Sequence, residues 1–72
     1  MKFVFTNHAK YRVYERKIPL RKIKEVVINP DRQRVDEDDM IVVRKKFRIK
    51  VLEVVYKIVK NKFVIITAYY EN

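Results

Sequence analysis

Apolar residues recur with a helical period over the first third of the chain. In residues 6–18, a narrow apolar stripe containing Ala9 and Val13 runs beside a polar stripe, which is typical of an amphipathic helix. Pro19 cannot continue that helix, but its fixed φ angle suits the first turn of a second one. The turn at residues 29–31 ends the second helix. Its core-facing positions are Leu20, Ile23, Val26 and Val27.

Alternation of apolar and polar residues predicts β-strands along the rest of the chain. The predicted strands are residues 32–36, 40–47, 51–59 and 63–70, with a short strand at residues 2–5 ahead of the first helix. Asn61 tolerates the positive φ angle that a tight turn before the last strand requires. Four consecutive strands joined by short turns favour an antiparallel meander. The sequence therefore predicts one α+β domain over residues 1–72, with two N-terminal helices packed on one face of an antiparallel β-sheet.

The composition argues against several classes of function. The 72 residues include no cysteine, which rules out disulfides, thiolate zinc sites and cysteine nucleophiles. One histidine and scattered carboxylates do not form a ligand set, so we expect neither a metal nor a cofactor. No apolar run approaches the roughly 18 residues of a membrane span, and no signal peptide opens the chain. We therefore expect a cytoplasmic location and no association with a membrane.

Positive charge is the strongest feature of the composition. Eighteen Lys and Arg residues face nine Asp and Glu residues, which gives a formal net charge of +9. Such an excess indicates a polyanionic partner, unless the charge serves solubility alone. Nucleic acid is the first candidate, an acidic protein the second and an anionic membrane the third. The densest basic cluster consists of Arg44, Lys45, Lys46, Arg48 and Lys50. Interleaved with Phe47 and Ile49, this cluster is either a groove for a nucleic-acid backbone or a lysine-rich hairpin turn. The acidic run at residues 36–39 lacks a glycine-bearing loop and indicates a solvated loop.

The first helix carries a polar stripe that includes the single histidine. His8, Arg12 and Arg16 are four residues apart and share one face, which Glu15 joins. This stripe has two interpretations. It is either a solvated helix face in a cation-rich protein, or a site in which a histidine moves a proton near neutral pH and arginines grip a phosphate. In the second interpretation, Glu15 orients an arginine.

The last predicted strand contains two polar residues at alternate positions. Thr67 and Tyr69 therefore share a face of the sheet, and either side chain can present a hydroxyl group. Tyrosine is also a favourable strand residue in its own right. These residues are thus either site residues or ordinary members of the strand.

The motif of the first helix resembles the opening of a family of small bacterial and archaeal domains of unknown function. That family is grouped with the RelE/ParE toxin superfamily. The similar positions are His8, Ala9, Arg12, Glu15, Arg16 and Ile18, followed by Asn29-Pro30, Tyr56 and residues 66–69. The resemblance implies a RelE-like fold, with two N-terminal helices on a twisted antiparallel sheet. It also implies a toxin-like role. RelE-type members cleave messenger RNA, usually on the ribosome, and are neutralised by an antitoxin, whereas ParE-type members poison DNA gyrase.

With this resemblance, the polar residues suggest a metal-independent endoribonuclease. If the 2′-hydroxyl attacks the adjacent phosphorus, cleavage needs a base, cations for the developing charge and an acid for the leaving oxygen. We expect His8 to be the general base or acid, and Arg12 and Arg16 to clamp the phosphate. Thr67 and Tyr69 would hydrogen-bond the phosphate or orient the nucleophile if the last strand lies under the first helix. The basic cluster at residues 44–50 would bind the flanking backbone.

Two other functions fit the same sequence. One is a non-catalytic module whose basic surface holds nucleic acid or an acidic antitoxin segment. The other is a ParE-like inhibitor of gyrase. The non-catalytic module would bind RNA without cleaving it. The gyrase inhibitor would change DNA supercoiling and have no effect on RNA.

Overall fold

The computed structural model of the protein describes residues 1–71. Two helices and five strands follow one another in the order β1 (Lys2–Phe5), α1 (Asn7–Arg16), α2 (Leu20–Ile28), β2 (Arg32–Val35), β3 (Ile41–Phe47), β4 (Lys50–Val59) and β5 (Lys62–Glu71), with a short 3₁₀ turn at Glu37–Asp39 between β2 and β3. The strands form one sheet in the order β1-β5-β4-β3-β2. The predicted α+β fold, with two helices packed on a sheet, is confirmed.

The sheet is mixed, and this differs from the predicted antiparallel sheet at one strand. Strands β2 to β5 form the expected antiparallel meander. Strand β1 instead pairs with β5 in parallel, with Phe3 opposite Phe63. Both helices and the meander separate β1 from β5 along the chain, so no tight turn imposes an antiparallel pairing. In the turn before β5, Asn61 has a φ angle of 61°, which confirms its predicted conformation.

The ends of α1 are fixed by short-range hydrogen bonds. The Thr6 side chain caps the N-terminus by accepting a hydrogen bond from the Ala9 N–H at 3.1 Å. The Thr6 N–H donates to the Ile65 carbonyl at 3.1 Å, which ties the start of the helix to β5. At the other end, Lys17 adopts the left-handed conformation, with φ 53°, and ends the helix. The chain then turns at Pro19 directly into α2.

Both helices cover the same face of the sheet. Helix α1 packs on β5 and β1, and helix α2 packs on β4 and β3. The buried core between the layers consists of Ala9, Ile18, Ile23, Val26, Val27, Val43, Leu52, Val54, Tyr56, Ile65 and Ala68. Within residues 1–71, no helix has the length and apolar character needed to cross a membrane.

Strand alternation decides which residues lie on the opposite, helix-free face. Leu52, Val54 and Tyr56 point into the core, so Glu53 and Val55, which alternate with them, lie on the helix-free face. Across the ladders, Arg44 of β3 and Tyr69 of β5 stand opposite Glu53. The register of the neighbouring strands places further residues on this face, among them Arg32, Arg34, Lys46, Thr67 and Glu71. A polar set of side chains therefore occupies the uncovered side of the sheet.

Candidate functional site

The polar stripe predicted on the first helix is present on α1 and faces solvent. His8 and Arg16 are exposed, and Arg12 is half-buried. An Arg12 guanidinium nitrogen donates to Glu15 Oε1 at 3.5 Å, and the Tyr11 hydroxyl donates to Glu15 Oε2 at 3.2 Å. Glu15 thus contacts Arg12 and Tyr11 on the exposed surface of α1. The hydrogen bonds of this stripe run within the helix itself.

Thr67 and Tyr69 share a face of β5, as predicted, but it is the helix-free face. Helix α1 packs through Ala9 onto the side of β5 that carries Ala68, and Thr67 and Tyr69 flank Ala68 on the opposite side. Strand β5 does lie under α1. The two predicted hydroxyl groups nevertheless point away from the helix. The predicted catalytic residues therefore fall into two groups on opposite sides of the sheet.

The basic cluster at residues 44–50 is also divided by strand alternation. Arg44 and Lys46 lie on the helix-free face. The Lys45 Nζ donates to the Asn29 carbonyl at 3.0 Å on the helix side. The Lys50 Nζ lies 5.2 Å from the centre of the Tyr70 ring, also on the helix side. Arg48 sits in the β3–β4 turn, with a φ angle of 58°. The five residues do not form one continuous groove, because the cluster crosses a hairpin.

Glu53 is the most distinctive polar residue of the protein, and it was not among the residues predicted from the sequence. Its exposed fraction is 4%, and it is the one buried charged residue among residues 1–71. The Tyr69 hydroxyl donates a hydrogen bond to Glu53 Oε2, and Arg44 Nε lies 3.7 Å from Glu53 Oε1. Arg44 also forms an ion pair with Glu71. Burying a carboxylate is costly unless it is paired and hydrogen-bonded, and these contacts meet that requirement.

The surroundings of Glu53 change its acidity. Burial raises the pKa of Glu53 above the usual 4.5, and the neighbouring Glu71 carboxyl group raises it further by sharing a proton and by charge repulsion. Arg34 and Arg44 oppose this shift in pKa because their positive charges favour the carboxylate. Glu53 therefore keeps its proton to a higher pH than an exposed glutamate does. Such a group is suited to proton transfer, since its two protonation states lie closer in free energy at physiological pH than those of an exposed glutamate.

Two adjoining depressions on the helix-free face form what we call the arginine groove. One, of about 550 Å³, is lined by Arg34, by Tyr69 and by three acidic residues, Asp36, Glu37 and Glu53, among others. The second, of about 410 Å³, is lined by Arg32, Arg34 and Arg44, and the two depressions share Arg34. The Arg44 Nε atom is buried, and within residues 1–71 it has no hydrogen-bond partner. Guanidinium groups recognise phosphate through paired hydrogen bonds, so the groove places side chains of a type that binds anions beside a carboxyl group whose pKa is raised.

A signal for part of this site was present in the sequence. Arg32 and Arg34 are two residues apart in β2, so the period of a strand places their side chains on one face. Glu53 interrupts an otherwise apolar run from Val51 to Val55. A charged residue in the middle of an interior strand requires partners on the neighbouring strands, and that requirement indicates a polar cluster.

The acidic run at residues 36–39 forms the exposed turn between β2 and β3, as predicted. Asp38 and Asp39 both have φ angles of 60°. The Asp36 carboxylate accepts a hydrogen bond from Arg34 Nε at 3.2 Å, which holds Arg34 at the rim of the arginine groove. In the described part of the chain, no group of three or more His, Asp or Glu side chains is arranged to hold a metal ion.

Glu53 is expected to make stability depend on pH. The pKa of Glu53 is higher in the folded state than the ordinary 4.5, so the protonated Glu53 stabilises the folded protein. This contribution to the free energy of unfolding is fully present below pH 4.5 and is lost as pH rises through the folded-state pKa. Glu53→Gln removes this titration. We therefore expect the free energy of unfolding of the variant, relative to the wild type, to increase from about pH 4 to about pH 7. Urea denaturation of both proteins at the two pH values measures the difference. A difference independent of pH would contradict the raised pKa.

Comparison with known proteins gives one match. No curated protein matches the chain, and no solved structure matches it. Residues 5–70 match a family described as "Domain of unknown function (DUF4258)". The match extends from the end of β1 to the last residues of β5, so it includes both helices, the arginine groove and Glu53. The chain therefore belongs to the DUF4258 family, a small uncharacterised domain family.

Proposed function

We propose that the protein is a toxin-like, metal-independent endoribonuclease that acts on messenger RNA at the arginine groove. The observation that carries the proposal is the position of Arg32, Arg34 and Arg44 beside buried Glu53 and its half-buried hydrogen-bond donor, Tyr69. The net charge of +9 supports a polyanionic substrate. A messenger RNA substrate implies that the protein acts in the cytoplasm, either on free RNA or on the ribosome.

Membership of the RelE/ParE toxin superfamily is part of this proposal. The motif on α1 supports it, as does the order of two helices followed by an antiparallel meander. The resemblance also suggests an acidic antitoxin as a partner. A neighbouring short gene that encodes an acidic protein would agree with that relationship.

The groove residues can be assigned to the steps of RNA cleavage. The 2′-oxygen attacks the adjacent phosphorus, the bond from phosphorus to the 5′-oxygen breaks, and a 2′,3′-cyclic phosphate forms. Glu53 accepts the proton of the 2′-hydroxyl as the general base. The Tyr69 hydroxyl donates its proton to the leaving 5′-oxygen and regains one from Glu53, to which it is hydrogen-bonded. Arg34 and Arg44 stabilise the negative charge that develops on the phosphate oxygens.

The stripe of α1 is the alternative location for the same chemistry. There His8 would be the acid or base, and Arg12 and Arg16 would hold the phosphate. The arginine groove is favoured because it is concave and contains a carboxyl group whose pKa is raised. The stripe is instead a solvent-exposed helix surface. Of the basic cluster, Lys46 lies on the same face of β3 as Arg44 and would bind RNA that flanks the groove.

Paired arginine substitutions distinguish the two locations, since both remove two positive charges. We expect wild-type protein to cleave total RNA in EDTA, and Arg32→Ala/Arg34→Ala to reduce the rate at least about tenfold, because each lost charge-assisted contact costs about 1.5–3 kcal/mol. The matched variant Arg12→Ala/Arg16→Ala should retain most of the activity. Cleavage is followed on gels with and without ribosomes, after the melting temperatures have been compared. The opposite ranking of the two variants would move the site to α1 and His8.

The net charge of +9 by itself favours a second candidate function, a module that binds nucleic acid or an antitoxin without catalysis. Such a protein retards RNA in a salt-dependent way and leaves it intact. If RNA stays intact in EDTA, with and without ribosomes, and is retarded in this way, the protein is the binding module and not the nuclease. Intact RNA together with a loss of DNA supercoiling would indicate the gyrase inhibitor.

A further inference from the structure

A second concave surface lies on the helix side of the sheet, next to the edge strand β1. It encloses about 670 Å³ between the end of β1, one face of α1 and the start of α2, and we call it the α1–β1 groove. Its apolar lining consists of Phe5, Val13, Tyr14, Ile18 and Leu20. Tyr14 and Leu20 are 84% and 52% exposed, although both are large apolar side chains. Contiguous exposed apolar surface of this kind is typical of an interaction site.

The rim of the α1–β1 groove is positively charged. Lys10 and Lys17 belong to its lining. The Lys24 Nζ lies 5.6 Å from the centre of the Phe3 ring, on the side of β1 that also carries Phe5. Glu15 is the acidic residue of the lining, and its carboxylate already accepts hydrogen bonds from Arg12 and Tyr11. The cations of the rim therefore remain available to an acidic partner.

We propose that the α1–β1 groove binds an acidic amphipathic helix of a partner protein. The apolar face of that helix packs against Val13, Tyr14 and Leu20, and its carboxylates meet the lysines of the rim. Helix α1 has ten residues and is about 15 Å long, which matches roughly three turns of a partner helix. A second copy of this chain fits poorly, because each copy carries a charge of +9 and the same lysine rim. Binding here uses no residue of the arginine groove.

The probe is a fluorescein-labelled peptide of about 20 residues, with leucines at helical spacing on one face and glutamates on the other. A scrambled peptide of identical composition is the control for charge alone. We expect the amphipathic peptide to bind at least about tenfold more tightly than the scrambled one in fluorescence anisotropy at physiological salt. Backbone amide NMR shifts should change mainly in residues 10–20. Equal affinity of the two peptides would overturn the proposal, because only non-specific charge attraction would then remain.

A matched pair of substitutions on α2 tests the location. Leu20→Glu and Ile28→Glu both place a carboxylate at an exposed apolar position, but Leu20 alone lines the groove. We expect Leu20→Glu to weaken binding of the amphipathic peptide at least about tenfold, and Ile28→Glu to change it less than about twofold. Equal effects of the two variants would overturn the proposal. A dimer of the free protein that Leu20→Glu dissociates would also overturn it, because the groove would then be occupied by a second copy.

Discussion

Glu53→Gln is expected to reduce RNA cleavage at least about a hundredfold while the protein stays folded, since general acid–base catalysis contributes about 10²–10⁴ to a rate. The amide has the same shape as the carboxyl group, but it cannot accept the proton of the 2′-hydroxyl. Its oxygen can still accept the hydrogen bond from Tyr69, and Arg44 keeps its ion pair with Glu71. The loss should therefore appear in the chemical step and leave RNA binding largely unchanged.

The measurement is the single-turnover cleavage rate in EDTA, with RNA affinity determined in parallel by gel retardation. Glu25→Gln, the same chemical change at an exposed position of α2, is the matched control and should cleave like the wild type. His8→Ala is measured alongside these variants, because it tests whether the chemistry lies on α1. Full activity of Glu53→Gln combined with an inactive, folded His8→Ala would contradict the proposed site and place the chemistry on α1.

Local patterns in the sequence determine most of this fold. The 3.6-residue period of α2, the stop at Pro19 and the alternation in β3 and β4 are all properties of neighbouring residues. The parallel pairing of β1 with β5 is different, because its partners, such as Phe3 and Phe63, lie far apart in the chain. That pairing depends on how α1 packs on the sheet after β1, and a pattern among neighbouring residues cannot predict it.

The candidate site was predicted only in part for a related reason. Alternation correctly placed Thr67 and Tyr69 on one face of β5, but it cannot say which face the helices cover. Packing decides this. Ala68 and Ala9 are both small and fully buried, and they allow α1 to lie close to β5 on the Ala68 side. The hydroxyl groups of Thr67 and Tyr69 must then point to the other face, where the Tyr69 hydroxyl contacts Glu53 and neither group lies near His8.

The same division of the sheet places the two grooves on opposite faces. The arginine groove is polar, lies on the helix-free face and contains the buried carboxyl group. The α1–β1 groove is apolar and lies on the helix side, at the edge of the sheet. A partner helix bound in the second groove would leave the first accessible, unless other parts of the partner extend around the sheet. Control of the proposed nuclease by a partner therefore requires either such an extension or a change transmitted through the packed core.

Ile23→Ala is expected to lower the free energy of unfolding by about 2–5 kcal/mol, the usual range for truncating a fully buried aliphatic side chain. Ile23 has an exposed fraction of 0% and lies in the core between α2 and the sheet. Ile28 on the same helix is 65% exposed, so Ile28→Ala is a matched control that should cost less than about 0.5 kcal/mol.

Urea denaturation of the two variants measures how firmly α2 holds one face of the sheet. For a domain of 72 residues, a loss of 2–5 kcal/mol is a large part of a total stability of about 4–11 kcal/mol. Ile23→Ala should therefore unfold at markedly lower temperature and lose RNA cleavage there, while cleavage at low temperature persists. Equal costs for the two substitutions would mean that α2 is not packed on this face. The assignment of the opposite face as the uncovered one, on which the arginine groove depends, would then lose its support.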